Sequence, residues 1–316
     1  MTALCGLAVT NCGPKGTPAE TAESKSPAAF VVAAGKGDAA AVNRFFTAGL
    51  TPDVHADSGD TPLIAASASG QLEMVELLLS KGANPNLAKP KDGWSPLLAA
   101  SQGGHSTVVS ALIAKGANVN AGTPDLFTPL MAAAKAGHAE TVGVLTASGA
   151  TVGTANKDGW SALMAAAESN KPGVVEALIK GGADAKASTN DGWTSLMAAS
   201  KAGNAAAVNA LIVAGANVNA RNKDRWTALM AASEGGNVEV TNALIAQKAD
   251  VNATTKDGWT ALMGAAEKGH AAIASALLAK GAQATAANHQ KMTAMAYAEK
   301  EKHPDVVAVL KKSGAK

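Results

Sequence analysis

The chain of 316 residues has two cysteines, Cys5 and Cys12, and none beyond its first dozen positions. That placement excludes a zinc cage or a disulfide framework for the body of the protein, because either needs thiols spread through the fold. Aromatic residues are scarce at 3%, although hydrophobic residues make up 47%. The apolar mass is mostly alanine and short aliphatic side chains, which lets helices approach one another closely. No apolar run reaches the roughly 18 residues of a membrane span. An excess of one charge is missing too: Lys plus Arg is 27 against 25 for Asp plus Glu, a net +2. No basic stripe follows from that balance, so nucleic acid is not an expected partner. The motifs of catalysis are also absent. There is no H-E-x-x-H, no G-x-S-x-G and no Walker loop, and AAGKGDAA around Lys36 lacks both the leading glycine and the trailing Ser or Thr. The histidines, His55, His105, His138, His270, His289 and His303, are dispersed. The expectation is therefore a non-enzyme with no catalytic residue, no metal ligand and no cofactor.

The first 26 residues differ from the rest. A short apolar stretch, MTALCGLAVTNC, precedes GPKGTPAETAESKSP, whose Gly, Pro, Ser, Thr and Glu cannot build a core. The pair resembles a bacterial lipoprotein signal, with Cys12 as the lipidated residue. It departs from that pattern in having no Lys or Arg before the apolar part and Asn11 where a small residue is usual. Residues 1–26 are read as a signal-like segment and linker. The expected location is exported, periplasmic or lipid-anchored, with the cytoplasm as the alternative.

From there the chain repeats. A Thr or Ser followed two residues later by Leu or Met occurs at Thr61, Ser95, Thr128, Ser161, Thr194, Thr227, Thr260 and Thr293, spaced 34 residues once and 33 thereafter. Each start reads as a helix N-cap, and Pro62, Pro96 and Pro129 take the first helical position, where a missing N–H costs nothing. A short helix such as LMAAA follows and ends near a glycine, for example Gly137, Gly203 or Gly269. A second helix then carries residues such as Val174, Val175, Leu178 and Ile179 on one face. Gly82, Gly116, Gly149, Gly182, Gly215 and Gly281 stand where a left-handed residue closes it. Such a pair cannot bury its own apolar face, so neighbours must stack.

A 33-residue unit with a T-P-L start, an alanine pair, Gly-His and G-A-N-V-N resembles the ankyrin repeat. The resemblance covers residues 27–316 in about nine units, counting a degenerate one over Ala28–Asp57, with the first and last as caps. It implies an all-α solenoid of helix-turn-helix units with hairpin projections and a concave binding surface. Where the family unit has histidine after T-P-L, five units carry Met131, Met164, Met197, Met230 and Met263, expected to fill the core.

One position outside the helices stands apart. The residue before the cap is Trp94, Phe127, Trp160, Trp193, Trp226 and Trp259 in six successive units, and Asp60 and Met292 on either side. Two residues earlier the same units read Asp92, Asp125, Asp158, Asp191, Asp224 and Asp257. The Asp-Gly pairs mark a turn, and by the resemblance these residues border the concave surface. At the end of the first helix, Lys135, Glu168, Lys201 and Glu234 are expected to face the same groove. A row of aromatics is costly in water and dominates binding hot spots, so the rings are expected to project for a partner. That partner is expected to be another protein, with an envelope enzyme to be blocked as the specific case, and the free chain is expected to be monomeric. A cytoplasmic scaffold and a carbohydrate-binding module are the alternatives.

Overall fold

In the computed structural model, the described residues are 26–314, so Cys5 and Cys12 lie outside them. Eighteen helices follow one another in pairs, the first of each pair starting at Pro27, Pro62, Pro96, Pro129, Ala162, Ser195, Ala228, Ala261 and Ala294. These pairs are numbered here as units one to nine. First helices lie against first helices of the neighbouring units, and from unit two onward second helices line up behind them in a parallel row. Among the described residues there is no strand, only isolated bridges such as Ala155 with Ser161 and Ser188 with Thr194. Among the described residues no helix is long and apolar enough to cross a membrane.

Each unit starts as its sequence dictates. The cap hydroxyl accepts the N–H three residues on, as in Ser161 Oγ from Met164 N at 3.3 Å and Thr194 Oγ1 from Met197 N at 3.2 Å. Second helices close through a left-handed glycine, Gly116 at φ 87° and Gly215 at φ 88°, and Lys248 fills that place in unit seven at φ 63°. The core is continuous along the stack. It contains the five methionines, Met131, Met164, Met197, Met230 and Met263, each essentially inaccessible. An unbranched thioether fills the space left where helices meet through alanine.

Polar side chains join the units on two sides. Behind the groove, Asn86 donates Nδ2–H to Gly116 O at 2.9 Å and accepts Asn118 N at 2.8 Å, and Asn120, Asn219 and Asn252 clamp their following units in the same way. Gly153 and Lys186 occupy this position in the two intervening loops and make no such clamp. Near the ends of the first helices, His105, His138, His270 and His303 place Nε2 on a carbonyl of the preceding unit at 2.9 to 3.2 Å.

Candidate binding groove

The hairpin before each first helix is closed by one device. The backbone N–H of Asn156 donates to the Trp160 carbonyl at 2.9 Å. The N–H of Trp160 returns to Asn156 Oδ1 at 2.8 Å. Thr123, Thr189, Asn222 and Thr255 do the same for Phe127, Trp193, Trp226 and Trp259, at 3.2, 3.0, 2.7 and 3.0 Å. At Trp94 the acceptor is Asp92 Oδ1 at 3.0 Å. Asx and hydroxyl turns of this kind fix the backbone of the residue that follows. They set where each aromatic side chain leaves the main chain. This alternating Thr and Asn row is a site component that the pattern of aromatics alone does not reveal, and its signal is a fixed offset of four residues before five of the six rungs, Trp94 being the exception. Asn288 supports Met292 identically, so the hairpin continues where the aromatic row stops.

All six rings are half-buried. Phe127 and Trp160, Trp193, Trp226 and Trp259 rest against the hydrophobic core. This differs from rings standing free in an open trough. A side chain offering about 150–250 Å² cannot leave a hairpin that leans on the next unit without covering part of itself. The row therefore braces the stack and borders the groove at once. Its two ends are more occupied than its middle. Trp94 stacks on Phe127 with centroids 6.3 Å apart and planes 16° from parallel. Trp259 meets Tyr297 edge-on at 4.8 Å. Its Nε1 is sealed from water without an acceptor. Tyr297 is itself held by Asn288, whose Nδ2–H donates to its hydroxyl at 2.9 Å.

Between the rungs lie clefts. Trp160 and Trp193 wall a space of about 520 Å³ with Glu168, Lys201, Ala198 and Ala202. A second, about 400 Å³, lies between Trp94 and Phe127 above Ala132, Lys135 and Ala136. A third, about 560 Å³, runs between Trp226 and Trp259 past Glu234 and Glu267 to Tyr297. The predicted helix-end residues Lys135, Glu168, Lys201 and Glu234 are thus brought to the same groove as the aromatics. Among the described residues, none of those four forms an ion pair. Glu267 differs, since Lys268 Nζ lies 3.1 Å from its carboxylate, and that hydrogen bond raises the lysine above its ordinary pKa.

The acidic row lies at the hairpin tips. Asp125, Asp191 and Asp224 pair with Lys157, Lys223 and Lys256 of the next unit at 3.2, 3.8 and 3.6 Å. The same lysines donate their backbone N–H to those aspartates' carbonyls. Asp92 is spent on Trp94, while Asp158 and Asp257 are exposed and make no ion pair among the described residues. Leu126 and Arg225 replace the turn glycine at φ 63° and 65°, and Leu126 is 51% exposed.

A stack of helix pairs with a row of aromatic-walled clefts along its hairpin edge is the class that fold and site define together. The chain matches the family described as ankyrin repeats (3 copies) over residues 29–123, 122–189, 173–255, 196–288 and 229–316, and it belongs to that family. Ankyrin repeats are non-catalytic protein–protein interaction modules. No curated protein matches the chain.

Proposed function

We propose that this protein acts by occupancy, holding a partner protein in the groove between its hairpins and the ends of its first helices. The observation that carries the reading is the meeting of half-buried aromatics and unpaired charges around the same clefts, Trp160 and Trp193 with Glu168 and Lys201 above all. Aromatic anchors beside charged rims are the usual composition of a binding hot spot. In its specific form the proposal makes the partner an enzyme of the cell envelope that the bound array blocks, with the array exported and anchored through Cys12. What supports export is that every cysteine falls in the lipoprotein-like segment and none follows it.

The test is affinity capture from the host's envelope fraction with the intact protein, beside Lys201→Glu and the triple Trp160, Trp193, Trp226→Ala variant as controls. A partner retained by the intact protein and lost from both controls is expected. Equal retention by all three sinks the groove reading, and full activity of a captured enzyme in the complex sinks the blocking. Mass spectrometry of the native N-terminus decides the anchor, a lipid-bearing Cys12 being the expected product.

A further inference from the structure

We infer that the segment held in this groove is a proline-rich stretch of the partner in the polyproline II conformation, with acidic and basic residues alternating at every third position. The inference rests on the groove reading above and adds the chemistry of the occupant.

The first argument is the match of periods. Equivalent side chains recur once per stacked unit, and packed helices lie about 8–10 Å apart. A ligand that meets every unit alike must present the same face at that interval. A β-strand advances about 3.3 Å per residue with alternating faces, so its same-face side chains recur near 6.6 or 13 Å. An α-helix returns a face about every 5.4 Å, so its equivalent positions recur near 5.4 or 10.8 Å. Polyproline II has three residues per turn at about 3.1 Å each, which brings a face back every ~9.3 Å. It alone falls inside the interval.

The second argument is hydrogen bonding. Among the described residues none of the five indole N–H groups donates to an acceptor, and Trp259 alone has its donor sealed from water. Trp94, Trp160, Trp193 and Trp226 therefore each offer a spare donor, three of them in the consecutive units five to seven, while Phe127 of unit four has none. A polyproline II backbone leaves its carbonyls unbonded and, where it is proline, has no N–H that the groove would have to satisfy. Slots walled by aromatic rings are the surface on which such segments dock.

The third argument is charge. Lys135, Glu168, Lys201 and Glu234 come in consecutive units and alternate in sign, and all four line the clefts. The complement is acidic, basic, acidic, basic, one residue for each unit and hence one for every turn of the ligand.

The experiment titrates the full chain with a synthetic peptide carrying Glu, Lys, Glu and Lys at every third position and proline between, followed by tryptophan fluorescence and calorimetry. Saturable binding is expected, about fivefold weaker for Lys201→Glu, an exposed site at a helix end where the charge change should leave the melting temperature nearly unchanged. A peptide of the same composition with its charges at every fourth position should bind about tenfold more weakly or not at all. Equal affinity for the two spacings overturns the inference. So does tighter binding of an alanine-based helical peptide with the charges at heptad spacing, though that result leaves the groove reading standing. If neither peptide binds while a captured partner is released by Lys201→Glu, the polyproline assignment is wrong and the groove is right. If a captured partner ignores Lys201→Glu and the triple tryptophan variant, both are wrong.

Discussion

Unit five and unit eight share a plan and differ in how they are held. Unit eight, Ala261–Glu267 with Ala271–Ala279, is fixed to unit seven at three places. His270 Nε2 sits 3.2 Å from Glu234 O, Asn252 clamps Gly281 O and Gln283 N, and Lys256 N donates to Asp224 O at 3.0 Å on the hairpin edge. Unit five, Ala162–Glu168 with Pro172–Lys180, has Lys171 in place of the histidine, and no asparagine clamp enters or leaves it. Its polar ties are Lys157 N to Asp125 O with the exposed Lys157–Asp125 ion pair, Asn190 N and Nδ2 to Asp158 O and Lys157 O, and a long Ser169 Oγ contact to Ala134 O at 3.4 Å. Helix-on-helix packing around unit five is no looser than around unit eight, so it is in the polar ties that unit five is the weaker of the two. The difference teaches that the polar ties decide which joint of a linear array opens first, since the free energy of a repeat stack is a sum of unit and interface terms. Unit five is secured along the groove edge and loose behind.

The largest effect should come from cutting that edge. Gly159 is at φ 83°, and a Cβ there would lie 2.7 Å from Asn190 N. Gly159→Val combines a left-handed β-branched residue with a backbone clash and should cost about 3 kcal/mol. Because few other polar ties hold the joint, urea unfolding should separate into two transitions, and a single transition at the original midpoint would contradict the comparison.

Next is removal of a clamp where the stack is well tied. Asn120→Ala leaves Gly149 O and Thr151 N without their side-chain partner and should cost about 1–1.5 kcal/mol, read as a lower urea midpoint with unchanged slope. The converse sharpens the contrast. A Cβ at Gly153 meets nothing within 4 Å, so Gly153→Asn can supply the missing clamp. With Lys186→Asn it should add about 1 kcal/mol per site and slow amide exchange in Pro172–Lys180 toward the rates of Ala271–Ala279. No change in those rates would mean that the back clamps do not govern local opening.

The smallest effect concerns the hairpin tips. Arg225→Gly and Leu126→Gly each relieve a left-handed side chain and should raise stability by about 0.5–1 kcal/mol in thermal melts. If Leu126→Gly also weakens ligand binding, the strain at that tip serves the groove.

Much of this was legible in the sequence. The cap hydroxyls, the closing glycines and the buried methionines follow from local chemistry repeated at a fixed period, so Thr128, Gly116 and Met131 could each be placed before any coordinates. The aromatic row and its charged neighbours were legible as positions. What could not be read was how deeply Trp160 or Trp259 sinks, because that depends on the backbone of the following unit, which a pattern within one unit does not describe. The ties from Lys157 and Lys223 to the preceding aspartates were hidden for the same reason: they join residues that no periodicity within a unit relates. Asn156 and Thr189 were hidden differently, since two residue types share one task and the eye follows identity rather than function.

Tyr297 has a consequence of its own. A repeating ligand on a repeating track could slip by one step at little expense, as a rack slides along its pinion. Tyr297 meets the last indole edge-on and is held by Asn288, so a segment occupying the proposed groove would find its row of rungs ended there and its register fixed from that end.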